Sequence, residues 1–215
     1  MGLPTIAPYP MPAESELPKN RVEWVPDPDR AVLLVHDMQN HFLRAFDTTA
    51  SPVVDLVLNI AALREVCRML GVPVVFSAQP GGQRPDERGL QLDMWGNGIG
   101  QDPADAEIVA GLAPGGSDIL MTKWRYNAFH RTELADVMAE HRRDQLIVTG
   151  IYAHIGCLMT TADAFMRDVQ AFLVADAVAD FSAEDHAMAL RYAATRCGTT
   201  VTTTRLIEQL TGGRK

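Results

Sequence analysis

From Arg30 onward the chain alternates short apolar runs with longer amphipathic ones. Six short runs, Ala31–His36, Pro73–Ala78, Ile119–Thr122, Gln145–Thr149, Ala171–Ala175 and Thr199–Thr203, have the length and composition of strands covered on both faces. Between them, Val53–Leu70, Ala104–Gly111, Thr132–Glu140, Ile155–Arg167, Ala183–Ala194 and Arg205–Leu210 have a helical distribution of apolar positions. Strands that alternate with helices in this way build βαβ units, which require a parallel sheet with helices on both faces. The pattern therefore predicts an α/β fold, a three-layer α/β/α sandwich. Gln79 to Asp102 is the longest stretch without periodicity and is a candidate active-site loop. Residues 1–29, punctuated by Pro4, Pro8, Pro10, Pro12, Pro18, Pro26 and Pro28, predict an extended arm laid over the domain or across a neighbouring subunit, with a single folded domain over 30–215.

Composition narrows the class. A chain of 215 residues can bury one substantial core, and 47% hydrophobic with 21% charged residues is an ordinary globular balance. No apolar run reaches the roughly 18 residues that span a bilayer. The N-terminus has no basic segment followed by an apolar one, so no secretory signal is read there and a cytoplasmic protein is expected. Cys67, Cys157 and Cys197 are odd in number and have no metal-ligand spacing, so reduced thiols are expected rather than disulfides or zinc. A net charge of −8 disfavours nucleic acid and anionic membrane as partners. There is no Gly-rich phosphate loop after the first strand and no P-loop, which disfavours a nicotinamide or nucleoside triphosphate cofactor.

Chemistry-bearing residues gather where the predicted strands end. Asp37 follows the first strand in His36-Asp37-Met38-Gln39, a position that also suits a turn former or a helix cap. Lys123 closes the third strand ahead of Trp124-Arg125-Tyr126, where the alternative is a surface lysine whose stem packs on the domain. The aromatic run beside it suits a wall that packs a ring, with Arg88, Lys123 and Arg125 as the cations available to hold a carboxylate on an acidic protein. Gln79 ends the second strand. The fourth runs into Gly150-Ile151-Tyr152-Ala153-His154-Ile155-Gly156-Cys157, a turn opening a helix. His36 and His154 flank strand ends and read as structural histidines.

Five segments together resemble the isochorismatase family: Val35-His36-Asp37-Met38-Gln39, Ala78-Gln79-Pro80, Lys123-Trp124-Arg125-Tyr126, Gly150 to Gly156, and Ala175-Asp176-Ala177-Val178-Ala179-Asp180-Phe181-Ser182. The resemblance covers nearly the whole chain. It implies a six-stranded parallel sheet of order 3-2-1-4-5-6, a homodimer, a cis peptide at Ile151–Tyr152, and a crevice between the first and fourth strands. It assigns Asp37 and Lys123 as catalytic, and Gln79, Arg88, Tyr152, Gly156, Trp95, Phe42 and Tyr126 as substrate-binding residues. No cofactor and no metal are implied.

In the related amidohydrolases the turn reads G-x-x-x-x-x-C, and six positions after Gly150 the residue is Gly156, not cysteine. Cys157 stands one residue later, about 100° around a helix, and is expected to point into the core. Gly156 is expected to leave room where a nucleophile would stand. The resemblance thus implies hydrolysis of an enolpyruvyl ether by an acid without a covalent intermediate. The substrate it implies is a small dicarboxylate: isochorismate, or 2-amino-2-deoxyisochorismate as in phenazine-type pathways. Family members of siderophore pathways often carry a carrier-protein domain, and ending at Lys215 corresponds to the stand-alone form. A cysteine amidohydrolase using Cys157 and a non-catalytic binding protein are the other classes considered.

Overall fold

The computed structural model describes residues 3–212; the outer ends of the two predicted segments, 1–2 and 213–215, lie outside the described residues. Six parallel strands, β1 (Ala31–His36), β2 (Val74–Ala78), β3 (Ile119–Thr122), β4 (Gln145–Ile151), β5 (Gln170–Ala179) and β6 (Thr199–Val201), form one sheet of order β3-β2-β1-β4-β5-β6. The helices are α1 (Asn40–Leu43), α2 (Val53–Leu70), α3 (Pro85–Arg88), α4 (Gln91–Trp95), α5 (Pro103–Ala106), α6 (Leu134–Glu140), α7 (Leu158–Met166), α8 (Ala183–Tyr192) and α9 (Thr203–Gly212).

Successive side chains of the central strands enter opposite cores. Leu33, Val35, Phe76, Ile147 and Phe172 pack against Leu56, Ile60 and Leu63 of α2 and Leu206 and Leu210 of α9. Val32, Leu34, Val75, Leu146, Val148 and Leu173 pack against Leu134 and Met138 of α6, Leu158 of α7 and Leu190 of α8. Each fully buried Leu or Ile contributes roughly 1.5–3 kcal/mol by leaving water. This two-sided burial explains why β1 and β4 are continuous apolar runs without alternation. Among the described residues, no helix is long and apolar enough to cross a membrane. Residues 3–29 run over the same domain: Ile6 N–H donates to Ala45 O at 2.7 Å, and the Asn20 side chain pairs with the Thr200 backbone.

Several boundaries differ from the sequence pattern, each where a tertiary contact outweighs local preference. The run Ala104–Gly111 is not one helix. α5 stops at Ala106 because Glu107–Val109 bonds to the segment after β1, with Asn40 N–H on Glu107 O and Val109 N–H on Met38 O, both at 2.9 Å. A 3-10 turn, Ala110–Leu112, follows. β5 extends past Ala175 to Ala179: a register shift against β4 between Val148 and Gly150 lets pairing resume at Val178. Asp176, which reads as a strand end, uses Oδ1 to accept from Thr203 N–H at 2.7 Å and Thr203 Oγ at 2.8 Å. That contact opens α9, so β6 stops at Val201 rather than Thr203. The aperiodic Gln79–Asp102 stretch holds α3 and α4, each too short to display a 3.6-residue period. Ile155–Arg167 and Ala183–Ala194 are each divided by π-helical turns, Ala153–Cys157 before α7 and Ala193–Cys197 after α8.

Candidate active site

β1 and β4 are neighbours whose onward connections leave in opposite directions, so a crevice opens beyond their C-terminal ends. Asp37 begins that opening in a left-handed conformation, φ 50°, with its N–H on Ser77 O at 3.1 Å. The conformation is uncommon for a residue with a Cβ and aims the carboxylate across the sheet toward β2 and β3. Asp37 Oδ1 accepts from Ser77 Oγ at 2.7 Å, while Oδ2 accepts from Gln79 Nε2 at 3.0 Å and lies 2.8 Å from Lys123 Nζ. The chain of contacts continues, because Arg88 Nη1 donates to Gln79 Oε1 at 3.1 Å. Gln79 is itself clamped: its backbone N–H and C=O both bond the Gln39 carboxamide at 2.8 Å.

Lys123 is only 1% exposed, so it is not the surface lysine its residue type suggests. Its three ammonium protons meet three acceptors, Asp37 Oδ2, Arg125 O at 2.6 Å and Tyr126 O at 3.4 Å. Burial opposes ionisation of Asp37, yet the adjacent Lys123 ammonium and the donated hydrogen bonds outweigh it and hold the carboxyl below its ordinary range. The free protein therefore carries a carboxylate and an ammonium in contact. Breaking such a buried pair from one side costs about 3–5 kcal/mol.

The Gly150–Cys157 turn forms the opposite wall. Gly150 has φ +105°, and a Cβ there would stand 2.7 Å from His36 N and overlap His36 O, so only glycine lets β4 approach β1 this closely. Ile151–Tyr152 is cis. Gly156 corrects an expectation: the space beside it is not open, because a Cβ would overlap His36 Cε1 and stand 2.7 Å from Nε2. The imidazole itself fills that space. Its Nδ1 is 2.8 Å from Ile151 O and its Nε2 3.1 Å from Tyr126 O, and burial lowers its pKa although Asp37 Oδ2 is 3.8 Å away. Cys157 is fully buried with Sγ 3.9 Å from Thr149 O, and burial pushes its thiol well above the ordinary value.

Aromatic rings close the crevice. Tyr152 stacks on Phe46 at 6.0 Å, meets Phe181 at 4.4 Å and donates its hydroxyl proton to Phe42 O at 3.1 Å. Trp95 from α4 lies 5.8 Å from Phe181 and donates to the Tyr126 hydroxyl at 2.6 Å. His154 supports this wall from behind through Asp180, with Nδ1 to Oδ1 and N–H to Oδ2 both at 2.6 Å. These rings and the Asp37–Lys123 pair line one cavity, apolar in its walls with a few convergent polar groups, as small-molecule sites are.

The nine residues that the resemblance assigns all line this cavity: Asp37, Lys123, Gln79 and Arg88 on one side, Tyr152 and Gly156 on another, and Phe42, Trp95 and Tyr126 around the rings. Arg125 does not line it; its Nη1 donates to Glu87 O at 2.9 Å and to Trp124 O at 2.7 Å. His36, His41, Gln91 and Phe181 line it and were not anticipated. Phe181 could have been found, since it stands in the Ala175–Ser182 segment quoted above. Nothing local marks Gln91.

Residues 31–205 match the model of the isochorismatase domain. The chain belongs to the isochorismatase family. It is 57% identical over 210 residues to the isochorismatase of Bacillus subtilis, covering 98% of this chain and 67% of that protein. It is 49% identical over 207 residues to phenazine biosynthesis protein PhzD1 of Pseudomonas aeruginosa, covering 96% and 99%. Among solved structures, a cysteine hydrolase from Pseudomonas syringae superposes with a TM-score of 0.78 at 25% identity, over 87% of this chain and 95% of that one. The family's sheet order is the one observed here, and the likeness to both isochorismatases and a cysteine hydrolase makes the Gly156 wall the informative part of the site.

Proposed function

We propose that this protein hydrolyses the enolpyruvyl ether of isochorismate, giving pyruvate and 2,3-dihydro-2,3-dihydroxybenzoate, by general acid catalysis without a covalent intermediate. The observation that carries this reading is the Asp37–Lys123 pair, buried in an aromatic-walled cavity whose Gly156 side is filled by an imidazole. Asp37 delivers a proton to the terminal carbon of the enol ether, and the oxocarbenium ion that results is captured by water. Capture releases one proton of the water, which returns Asp37 to its acid form, and the hemiketal collapses to pyruvate and the ring alcohol as its hydroxyl proton passes to the ring oxygen. Asp37 must hold a proton to begin. The two carboxylates of the substrate supply the needed shift, since negative charge brought beside Asp37 in a water-poor cavity raises its pKa from the depressed value of the free protein. Arg88 has guanidinium protons left beyond those on Gln79 and Gly96, which suits a carboxylate contact. Gln79, Tyr152, Phe42, Trp95 and Tyr126 orient the ring, and Lys123 holds Asp37 and balances its charge.

The likeness to PhzD1 supports a second reading, the same step on 2-amino-2-deoxyisochorismate. With either reading go a small dicarboxylate partner and a homodimer, which the family resemblance supports, and the cytoplasm, which three buried unpaired cysteines support. Pyruvate release from the two substrates, compared by kcat/KM, tests the proposal, with Asp37→Asn expected to lose about 10²–10⁴-fold. No pyruvate from either substrate, or near-normal turnover by Asp37→Asn, overturns it.

A further inference from the structure

We infer that Gln91 is the residue through which this cavity reads the ring substituent of its substrate, the hydroxyl or amino group that distinguishes the two candidates. This rests on the enol-ether reading above. Gln91, the first residue of α4, is 6% exposed and lines the cavity, yet its carboxamide oxygen is buried without a donor from any described residue. Leaving a buried acceptor unserved is costly, and such groups in a ligand cavity are served by the ligand.

Most neighbouring polar groups are committed elsewhere; the Tyr126 hydroxyl accepts from Trp95 and keeps its own proton, a donor where Gln91 offers an acceptor. Both oxygens of Asp37 and all three protons of Lys123 are used, the Gln79 carboxamide bridges Asp37 and Arg88, and the Tyr152 hydroxyl is on Phe42 O. Arg88 retains donors, which select carboxylate. His41 lines the cavity too, but it is half-buried and within reach of solvent. A neutral acceptor in this position suits a hydrogen-bond donor on the substrate, which the ring hydroxyl and amino groups are and the carboxylates are not. Gln91 also lies three residues after Arg88 and four before Trp95, between the cation suited to a carboxylate and a ring that packs on the substrate face.

The test compares wild type, Gln91→Leu and Gln91→Glu by pyruvate release from isochorismate and from 2-amino-2-deoxyisochorismate, with thermal unfolding in parallel. Gln91→Leu should lower kcat/KM for both substrates about tenfold, chiefly through KM because the contact is made before the proton moves. Its Tm should hold or rise, since the unserved oxygen is gone. Gln91→Glu should shift the amino-to-hydroxyl preference about tenfold toward the amino substrate, whose nitrogen can carry a positive charge. Wild-type turnover with kcat/KM and preference unchanged in both variants overturns the inference and leaves the enol-ether reading intact. A clear fall in Tm with unchanged preference makes Gln91 a structural residue and likewise overturns it. Wild type that releases no pyruvate from either substrate overturns the function itself, and this inference with it.

Discussion

His36 occupies the volume that any side chain at position 156 would need: a Cβ on Gly156 would stand 2.7 Å from its Nε2 and overlap Cε1. The same ring is held between Ile151 O and Tyr126 O and packs beside Asp37. A substitution at 156 therefore acts on Asp37 through the imidazole. Gly156→Ala is expected to cost about 1–3 kcal/mol of stability through overpacking and to lower kcat/KM at least tenfold. Combining it with His36→Ala should recover part of the lost Tm, a non-additive coupling that unfolding of the four proteins in the cycle measures. Additive losses would mean that the two positions do not compete for space. Gly156→Cys should fold poorly and gain no amidase activity.

The Asp37–Lys123 pair makes a signed contribution to acid stability. Asp37 titrates below its ordinary value of 3.8 in the folded protein, so the unfolded chain takes up the proton more readily. Its contribution is complete above about pH 5 and is lost as pH falls through the folded pKa. Asp37→Asn should unfold with a shallower acid dependence than wild type, read by denaturant titrations between pH 3 and pH 7. Lys123→Met should be less stable at neutral pH by about 3–5 kcal/mol, because it strands a buried carboxylate.

Cys157 is buried and its thiol is pushed well above the ordinary value, so it is a poor nucleophile where it stands. Alkylation of the native protein at pH 8, followed by peptide mass analysis, should leave Cys157 unmodified and the activity intact. Cys157→Ala should keep kcat/KM within about twofold while losing roughly 1–2 kcal/mol of packing. Loss of turnover in a folded Cys157→Ala protein would favour covalent chemistry instead.

His154 carries the opposite sign. Its hydrogen bond to Asp180 raises its pKa above 6.5, against a smaller effect of burial. The stability it contributes is therefore fully present below that value and is lost as pH rises through the folded pKa. Tm measured from pH 5.5 to pH 8.5 should decline more steeply in wild type than in His154→Gln. The variant should also loosen Phe181, whose backbone N–H bonds Asp180 Oδ1 at 2.9 Å, and so raise KM.

Much of this molecule is legible along the chain. Central parallel strands must be apolar on both faces, so Ala31–His36 and Gln145–Thr149 announce themselves, and the turns after such strands are where polar residues such as Asp37 and Lys123 stand out. What the chain could not show is decided by contacts between distant segments. Glu107–Val109 leaves a helical pattern because Met38 and Asn40 take its peptide groups, and Asp176 sits inside a strand because Thr203 needs its carboxylate. The same holds in the cavity. Gly156 reads as empty space until His36, 120 residues earlier, is seen to fill it, and nothing in the chain marks Gln91 until α4 folds it inward with its carboxamide oxygen unserved. Periodicity records which faces must avoid water, and that determined the sheet, its helices and the strand ends that bear the chemistry. Which side chains share a volume, and which hydrogen-bonding groups are left over, depends on how those faces meet, and only the tertiary structure decided that.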